Sequence, residues 1–193
     1  MTLGQIKEAC CAPTSCAEKF MNYINETCER FEINTPVRQL SFLAQVGHES
    51  GGLFFTEELA SGLAYEGRKN LGNTQPGDGK RFKGRGLIQI TGRANYKVIG
   101  DSIQVDFIKE PTLLGGKNIT FCTPDQLKYA AMSAGWYWNS RKINLIADKI
   151  NIAKPIDEGD NLERYKEITK KINGGHNGLP DRLNRFKIGV KFF

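Results

Sequence analysis

The sequence has few of the residues on which metal centres and membrane spans depend. Only two of its 193 residues are histidine, and none of its five cysteines forms the C-x-x-C pairs of a structural zinc site. No stretch approaches the roughly 18 apolar residues of a membrane-spanning helix. The N-terminus lacks the basic start and apolar run of a secretory signal. We expect no metal, no cofactor, no stable membrane insertion, reduced thiols and synthesis in the cytoplasm.

Positive charge, in contrast, is in excess. The formal net charge is +6 and the sequence pI is about 9.1, which favours a polyanionic target such as nucleic acid, an anionic membrane or an anionic cell wall. The basic, glycine-rich stretch 77–86 (GDGKRFKGRG) fits neither phosphate-loop motif, and no known nucleic-acid module accompanies it. We expect no nucleic acid partner, and we interpret these charges as a basic rim to a cleft or as solvated loop residues.

Periodicity predicts a mainly α-helical (α+β) protein that is one domain over residues 1–193. An N-terminal helical segment, 1–33, precedes a core over 34–193. The clearest helix lies within 34–52, where Asn34 or Thr35 can cap it, Pro36 suits its first turn and two glycines end it. Residues 61–85 are predicted to be loop and 81–91 (RFKGRGLIQIT) a short strand or hairpin. Further helices are predicted over 15–32, 123–140, 157–175 and 180–189.

A carboxylate at the end of the clearest helix is a candidate general acid. Phe42, Val46 and Glu49 share one helical face, so Glu49 stands at the edge of an apolar surface and at the negative end of the helix dipole. Both effects favour the protonated carboxyl that a general acid requires. From position alone, a solvated helix-end glutamate is the more common situation. The adjacent His48 does not form an H-E-x-x-H metal motif, because position 52 is glycine.

Four sequence blocks in order carry a family resemblance. These blocks are FLAQVGHESGG (42–52), GRGLIQITGRANY (84–96), SAGWYW (133–138) and INGGHNGLPDR (172–182). Together they resemble the glycoside hydrolase family 19 chitinases, and they look most like the phage-type endolysins of that family, which degrade peptidoglycan. The resemblance covers about residues 36–186. It implies a lysozyme-like, two-lobed helical domain with a small β-hairpin element and a cleft between the lobes.

The same resemblance implies an inverting mechanism with two carboxylates across the cleft. Such pairs stand about 6.5–9.5 Å apart, which leaves room for the attacking water. By position Glu49 matches the general acid and Glu58 the general base. Glu57 stays open as an alternative base, because this chain has Glu57-Glu58-Leu59 where endolysin-type members commonly have Glu-Asn-Leu.

Further residues carry over by their place in the matching blocks. Thr91 is implied to hold the nucleophilic water, and Arg182 to keep the base carboxylate ionised. On a strand, Gln89 and Thr91 would face the same way. The remaining candidates are substrate-binding: Gln89, Asn95, Tyr96 in part, Asn173 and His48, with local packing at the helix end as the alternative for His48.

We therefore predict a monomeric, metal-independent hydrolase that cuts β-1,4 bonds in the glycan strands of bacterial peptidoglycan during host lysis. Without a signal peptide, it would wait in the host cytoplasm and reach the periplasmic wall through a separate membrane-pore protein. Chitinase activity on chitin oligomers is the first alternative, because the bond chemistry is the same. A non-catalytic module that binds glycan or nucleic acid is the second.

Overall fold

The computed structural model describes residues 1–193 and contains nine α-helices joined by loops and short 3-10 turns. The predicted mainly α-helical class is confirmed. None of the helices combines the length and the apolar character needed to cross a membrane. The helices are α1 (Leu3–Ala9), α2 (Thr14–Arg30), α3 (Pro36–Glu49), α4 (Asp78–Arg81), α5 (Arg93–Ile103), α6 (Pro124–Ser140), α7 (Asn144–Ala147), α8 (Gly159–Asn173) and α9 (Leu179–Gly189).

Helix α3 is the central element, and its sequence signals act as predicted. The Thr35 hydroxyl accepts a hydrogen bond from the backbone N–H of Arg38 at 3.4 Å, and Pro36 occupies the first helical position. Gly51 and Gly52 follow the last turn with φ values of +60° and +73°, a backbone region that favours glycine. Because residues 40–47 are buried all round, α3 is enclosed by other helices and its C-terminal end opens toward the loops.

Of the short strand or hairpin predicted over 81–91, the strand is absent and only a tight antiparallel turn is present. The only β-type pairing there is between isolated residues, Glu57 with Arg85 and Arg85 with Ile90. The chain turns back between Arg85 and Ile90, with Gln89 at a φ of +58°, and the N–H of Leu87 bonds to the Ala130 carbonyl of α6. Since the turn bonds to a helix, no neighbouring strand forms, and the expected strand alternation that would make Gln89 and Thr91 face the same way does not apply.

The first 33 residues pack into the same core as the rest of the chain. A cluster of 42 buried apolar residues includes Ile6, Cys10 and Phe20 together with side chains from every later long helix. Helix α1 packs on α3 and α9, and α2 packs on α6. The five cysteines form no disulfide, and burial raises the pKa of Cys28 to about 12, which suits a packing role.

We predict that Gly47→Ala destabilises the protein, because the added methyl group would push the turn after α1, at Cys10, away from α3. A Cβ at Gly47 would lie 2.6 Å from the Cα of Cys10, which is backbone and cannot rotate away. We expect the free energy of unfolding to fall by about 1–3 kcal/mol, as for other overpacked sites. Urea denaturation followed by circular dichroism measures it.

Gly4→Ala is the matched control, since a Cβ there has no neighbour closer than 3.9 Å and α1 should gain up to about 1 kcal/mol from the better helix former. Equal stability of Gly47→Ala and wild type would show that the turn after α1 is not closely packed against α3.

Candidate active site

A buried arginine organises the end of α3. The side chain of Arg182, from the first turn of α9, is 1% exposed, and its Nη2 donates to Oε1 of Glu49. Its Nη1 donates to Oε1 of Gln45 at 2.6 Å, and its Nε donates to the Asn177 carbonyl at 3.3 Å. Glu49 itself is 20% exposed, so one side of its carboxylate is fixed and the other is accessible.

This contact corrects the prediction that Arg182 serves the base carboxylate. The guanidinium lies against Glu49, the candidate acid, and its hydrogen bonds are to Glu49, Gln45 and Asn177. Glu58 takes its side-chain hydrogen bond from elsewhere. Sequence position could not reveal this, because 133 residues separate the two partners.

His48 belongs to a second network behind the first. Its Nδ1 lies 2.6 Å from Oδ2 of Asp181, which also accepts from Nε of Arg185 at 2.6 Å, and the imidazole packs against Gly178. Burial favours a higher pKa for Asp181, but the hydrogen bonds and charges of Arg185 and His48 outweigh it and lower the pKa below its ordinary value. The structure therefore shows local bonding of His48 at the helix end.

Asn173 closes α8 beside this group. Its Oδ1 accepts from the N–H of Gly175 at 2.8 Å, and its Nδ2 donates to the Asn177 carbonyl at 2.8 Å. Because the same carbonyl accepts from Arg182, the predicted residues Asn173, Arg182 and Glu49 form one connected set.

A second group of polar side chains surrounds Glu58. Oε2 of Glu58 accepts from the Tyr65 hydroxyl at 2.9 Å, whereas Oε1 is buried and has no hydrogen-bond partner in the protein. Oε1 of Gln89 is likewise buried without a partner. Both side chains lie against Gly84, where a Cβ would come within 2.9 Å of Gln89 and 3.1 Å of Glu58. Glu58 and Gln89, which both lie against Gly84, therefore each carry one buried acceptor oxygen without a protein partner.

Tyr65 is a site residue that the sequence argument missed. Burial raises the pKa of its hydroxyl, and the Glu58 carboxylate raises it further through the hydrogen bond and its charge. Tyr65 lies in a loop predicted only by its glycines and polar residues, so nothing in the local pattern distinguished it.

Thr91 and Asn95 continue the second group, whereas Tyr96 does not. The Thr91 hydroxyl donates to the Gln89 carbonyl at 3.0 Å, and Nδ2 of Asn95 donates to the Thr91 carbonyl at 2.8 Å. The prediction that Tyr96 contacts substrate is wrong, because its ring is fully buried against Phe82 and its hydroxyl donates to the Lys83 carbonyl at 2.6 Å.

Glu57 differs from its neighbour in what it contacts. Oε1 of Glu57 lies 2.7 Å from the Lys83 ammonium, and Oε2 lies 2.8 Å from Nε of Arg85, whose side chain is only 6% exposed. Both carboxylate oxygens are therefore occupied by cations, whereas Glu58 keeps one oxygen without a protein partner.

A sequence-family model described as Chitinase class I matches residues 25–179, and this match decides the family. The chain belongs to glycoside hydrolase family 19. Its activity class is accordingly that of a glycoside hydrolase, and the predicted resemblance to this family is confirmed.

Relatives and solved structures agree with this assignment. The chain is 27% identical over 182 residues to a glycosyl hydrolase family 19 domain-containing protein of Haemophilus influenzae, with 78% of each chain covered. It is 29% identical over 161 residues to an endochitinase of Arabidopsis thaliana, covering 78% of this chain and 48% of that one, so it spans about half the plant protein. Chitinase C of Streptomyces griseus has the same fold, with a TM-score of 0.64, 20% identity, and 98% and 90% of the two chains covered.

We predict that Asp181→Asn destabilises this family 19 protein relative to wild type at neutral pH, and that this difference becomes smaller at acidic pH. Because Asp181 has a lowered pKa in the folded state, its contribution is fully present above its unfolded value near 3.8 and is lost as the pH falls through the folded value. The difference in free energy of unfolding between the two proteins should be constant above about pH 5 and should shrink below about pH 4. Urea titrations at pH 7, 5, 4 and 3 measure it, and a difference that does not change with pH would contradict the ion pairs.

Proposed function

We propose that the protein hydrolyses β-1,4-linked N-acetylhexosamine strands of bacterial peptidoglycan, with inversion at the anomeric carbon. Glu49 is the general acid and Glu58 the general base. The observation that carries this assignment is the asymmetry between the two carboxylates: Glu49 is held by Arg182, and Glu58 has a buried oxygen with no protein partner. An acceptor of this kind is suited to bind and deprotonate a water.

On the base side, Glu58 orients and activates the attacking water. The Tyr65 hydroxyl fixes one oxygen of the carboxylate, which aims the other at the water. Gln89 offers a second free acceptor beside it, and the Thr91 hydroxyl, bonded to the Gln89 carbonyl, completes the water site or contacts the sugar. Asn95 and Asn173 bind sugar groups farther along the strand.

On the acid side, Glu49 protonates the oxygen of the leaving sugar. Arg182 contacts one oxygen of this carboxyl, Oε1, and so holds the group in position for the transfer. His48, Asp181 and Arg185 hold the beginning of α9 in place, which keeps Arg182 beside Glu49.

Peptidoglycan is preferred over chitin because the protein carries a net charge of +6, which favours an anionic wall over an uncharged polymer. The biological role that fits is lysis of a bacterial host by a phage-type endolysin. In this role a monomer accumulates in the cytoplasm and reaches the wall after a separate pore protein opens the membrane. Chitin oligomers are the second candidate substrate, because several relatives carry the name endochitinase.

We predict that Glu49→Gln abolishes hydrolysis while the fold persists. Removal of the proton donor should lower the rate by at least about 10²–10⁴-fold. The assay is loss of turbidity of outer-membrane-stripped Gram-negative cell walls, with new reducing ends measured as product and chitin oligomers run in parallel.

The two polymers separate the candidate functions. Wall clearing by wild type alone, with new reducing ends and no new free amines, supports a glycan-cutting endolysin. Chitin cleavage without wall clearing would make the protein a chitinase, and equal clearing by wild type and Glu49→Gln would remove Glu49 from the mechanism.

The adjacent glutamates provide a second test. We predict that Glu58→Gln lowers the rate by about 10²-fold or more without loss of stability, since only the base is removed. Glu57→Gln, a matched substitution one residue away, should retain most activity and lower the melting temperature, because Lys83 and the buried Arg85 lose their carboxylate partner. Rates on walls and thermal unfolding of both variants measure this, and the reverse pattern would assign the base to Glu57.

A further inference from the structure

One arginine at the end of α6 has no role in the mechanism above. The guanidinium carbon of Arg141, just after α6, stands 3.3 Å from the centre of the Tyr137 ring. The residue is half-buried, and no carboxylate forms an ion pair with it. Its Nη1 donates to the Ser140 hydroxyl at 3.0 Å, and the Tyr137 hydroxyl interacts with the guanidinium as well. A guanidinium has five N–H donors, so others remain for a ligand.

Tyr137 ties this arginine to the active site. Its hydroxyl donates to the Ile172 carbonyl at 3.0 Å, and the next residue is Asn173, which belongs to the connected set around Glu49. Burial raises the pKa of the Tyr137 hydroxyl, the Arg141 charge opposes this, and the Glu49 carboxylate adds to it. Tyr137 therefore lies within electrostatic range of both Arg141 and Glu49.

We propose that Arg141, stacked on Tyr137, is an anion subsite that binds a carboxylate of the wall polymer and so favours peptidoglycan over chitin. A stacked guanidinium loses little freedom on binding, and its planar edge matches both oxygens of a carboxylate. Chitin has no carboxylate. In intact peptidoglycan the free carboxylates are those of the stem peptide, because the lactyl carboxyl of the muramyl sugar is amide-linked to that peptide. The lactyl group is a free carboxylate only where the peptide has been removed. This inference rests on the proposed hydrolysis of the wall.

The test compares Arg141→Gln with Lys142→Gln, which removes the same charge from the neighbouring exposed residue. Each is assayed for kcat/KM on three polymers: intact outer-membrane-stripped peptidoglycan, the same glycan freed of stem peptides by an amidase, and the uncharged hexamer of N-acetylglucosamine. We expect Arg141→Gln to lower kcat/KM on intact peptidoglycan by about 10-fold or more, mainly through KM, as for loss of a charged hydrogen bond. Its kcat/KM on the hexamer, and that of Lys142→Gln on all three, should stay within about 2-fold of wild type.

The stripped glycan distinguishes the two sources of the carboxylate. The amidase removes the stem peptides and at the same time frees the lactyl carboxylates. If the loss disappears on that polymer, the ligand is a carboxylate of the stem peptide, and if it persists, Arg141 also binds the lactyl carboxylate that the amidase exposes. Arg141→Lys keeps the charge but not the planar fork, so it should recover only part of the lost kcat/KM.

Four results would overturn the inference. A loss on the uncharged hexamer as large as on the wall would make Arg141 a general support of the cleft. The absence of any loss, or an equal loss in Lys142→Gln, would leave no anion subsite at this position. If wild type cleaves the hexamer but neither wall polymer, both the proposed function and the anion subsite are refuted. If Arg141→Gln cleaves the wall at the wild-type rate, only the anion subsite is refuted.

Discussion

The buried guanidinium of Arg182 is the interaction on which the rest of the site depends. It enters from the first turn of α9 and satisfies three acceptors in two other segments, the side chains of Glu49 and Gln45 on α3 and the carbonyl of Asn177 before α9. An arginine that is 1% exposed is costly to bury unless its donors are paired, so these segments are held to one arrangement. The position of Glu49 is therefore a property of the packing between α3 and α9.

The second group of the site is organised by backbone rather than by charge. Around Gly84 the chain comes close enough for Glu58 and Gln89 to approach each other, and Gln89 adopts a left-handed backbone conformation that is uncommon for residues other than glycine. Such conformations persist where the surrounding contacts impose them, and here the turn is bonded to Thr56 and to Ala130 of α6. One carboxylate is thus fixed by an ion pair and the other by a tight turn.

The sequence predicted the elements whose signals are local. The caps of α3 and α6, the glycine end of α8 and the apolar face of α3 are all present, because capping and periodicity act over a few residues. Contacts between distant segments were not predictable in this way. The pairing of Arg182 with Glu49, the burial of Tyr96 and the hydrogen bond from Tyr65 to Glu58 depend on tertiary packing. The alternation in 81–91 indicated a strand, but the turn at Gly86 and Gln89 and its bond to α6 prevent one.

The contact between α1 and α9 has a consequence for the order of synthesis. Helix α1 leaves the ribosome first and α9 last of the nine helices, yet they pack against each other and against the central helix. Arg182 lies in α9, and the Cys10 carbonyl just after α1 accepts from Arg185 in the same helix. During translation the nascent chain therefore holds an exposed face on α1 and α3 and an unpaired Glu49 until α9 emerges. Pairing of Glu49 with Arg182 therefore requires a long-range contact that only the completed α9 can supply.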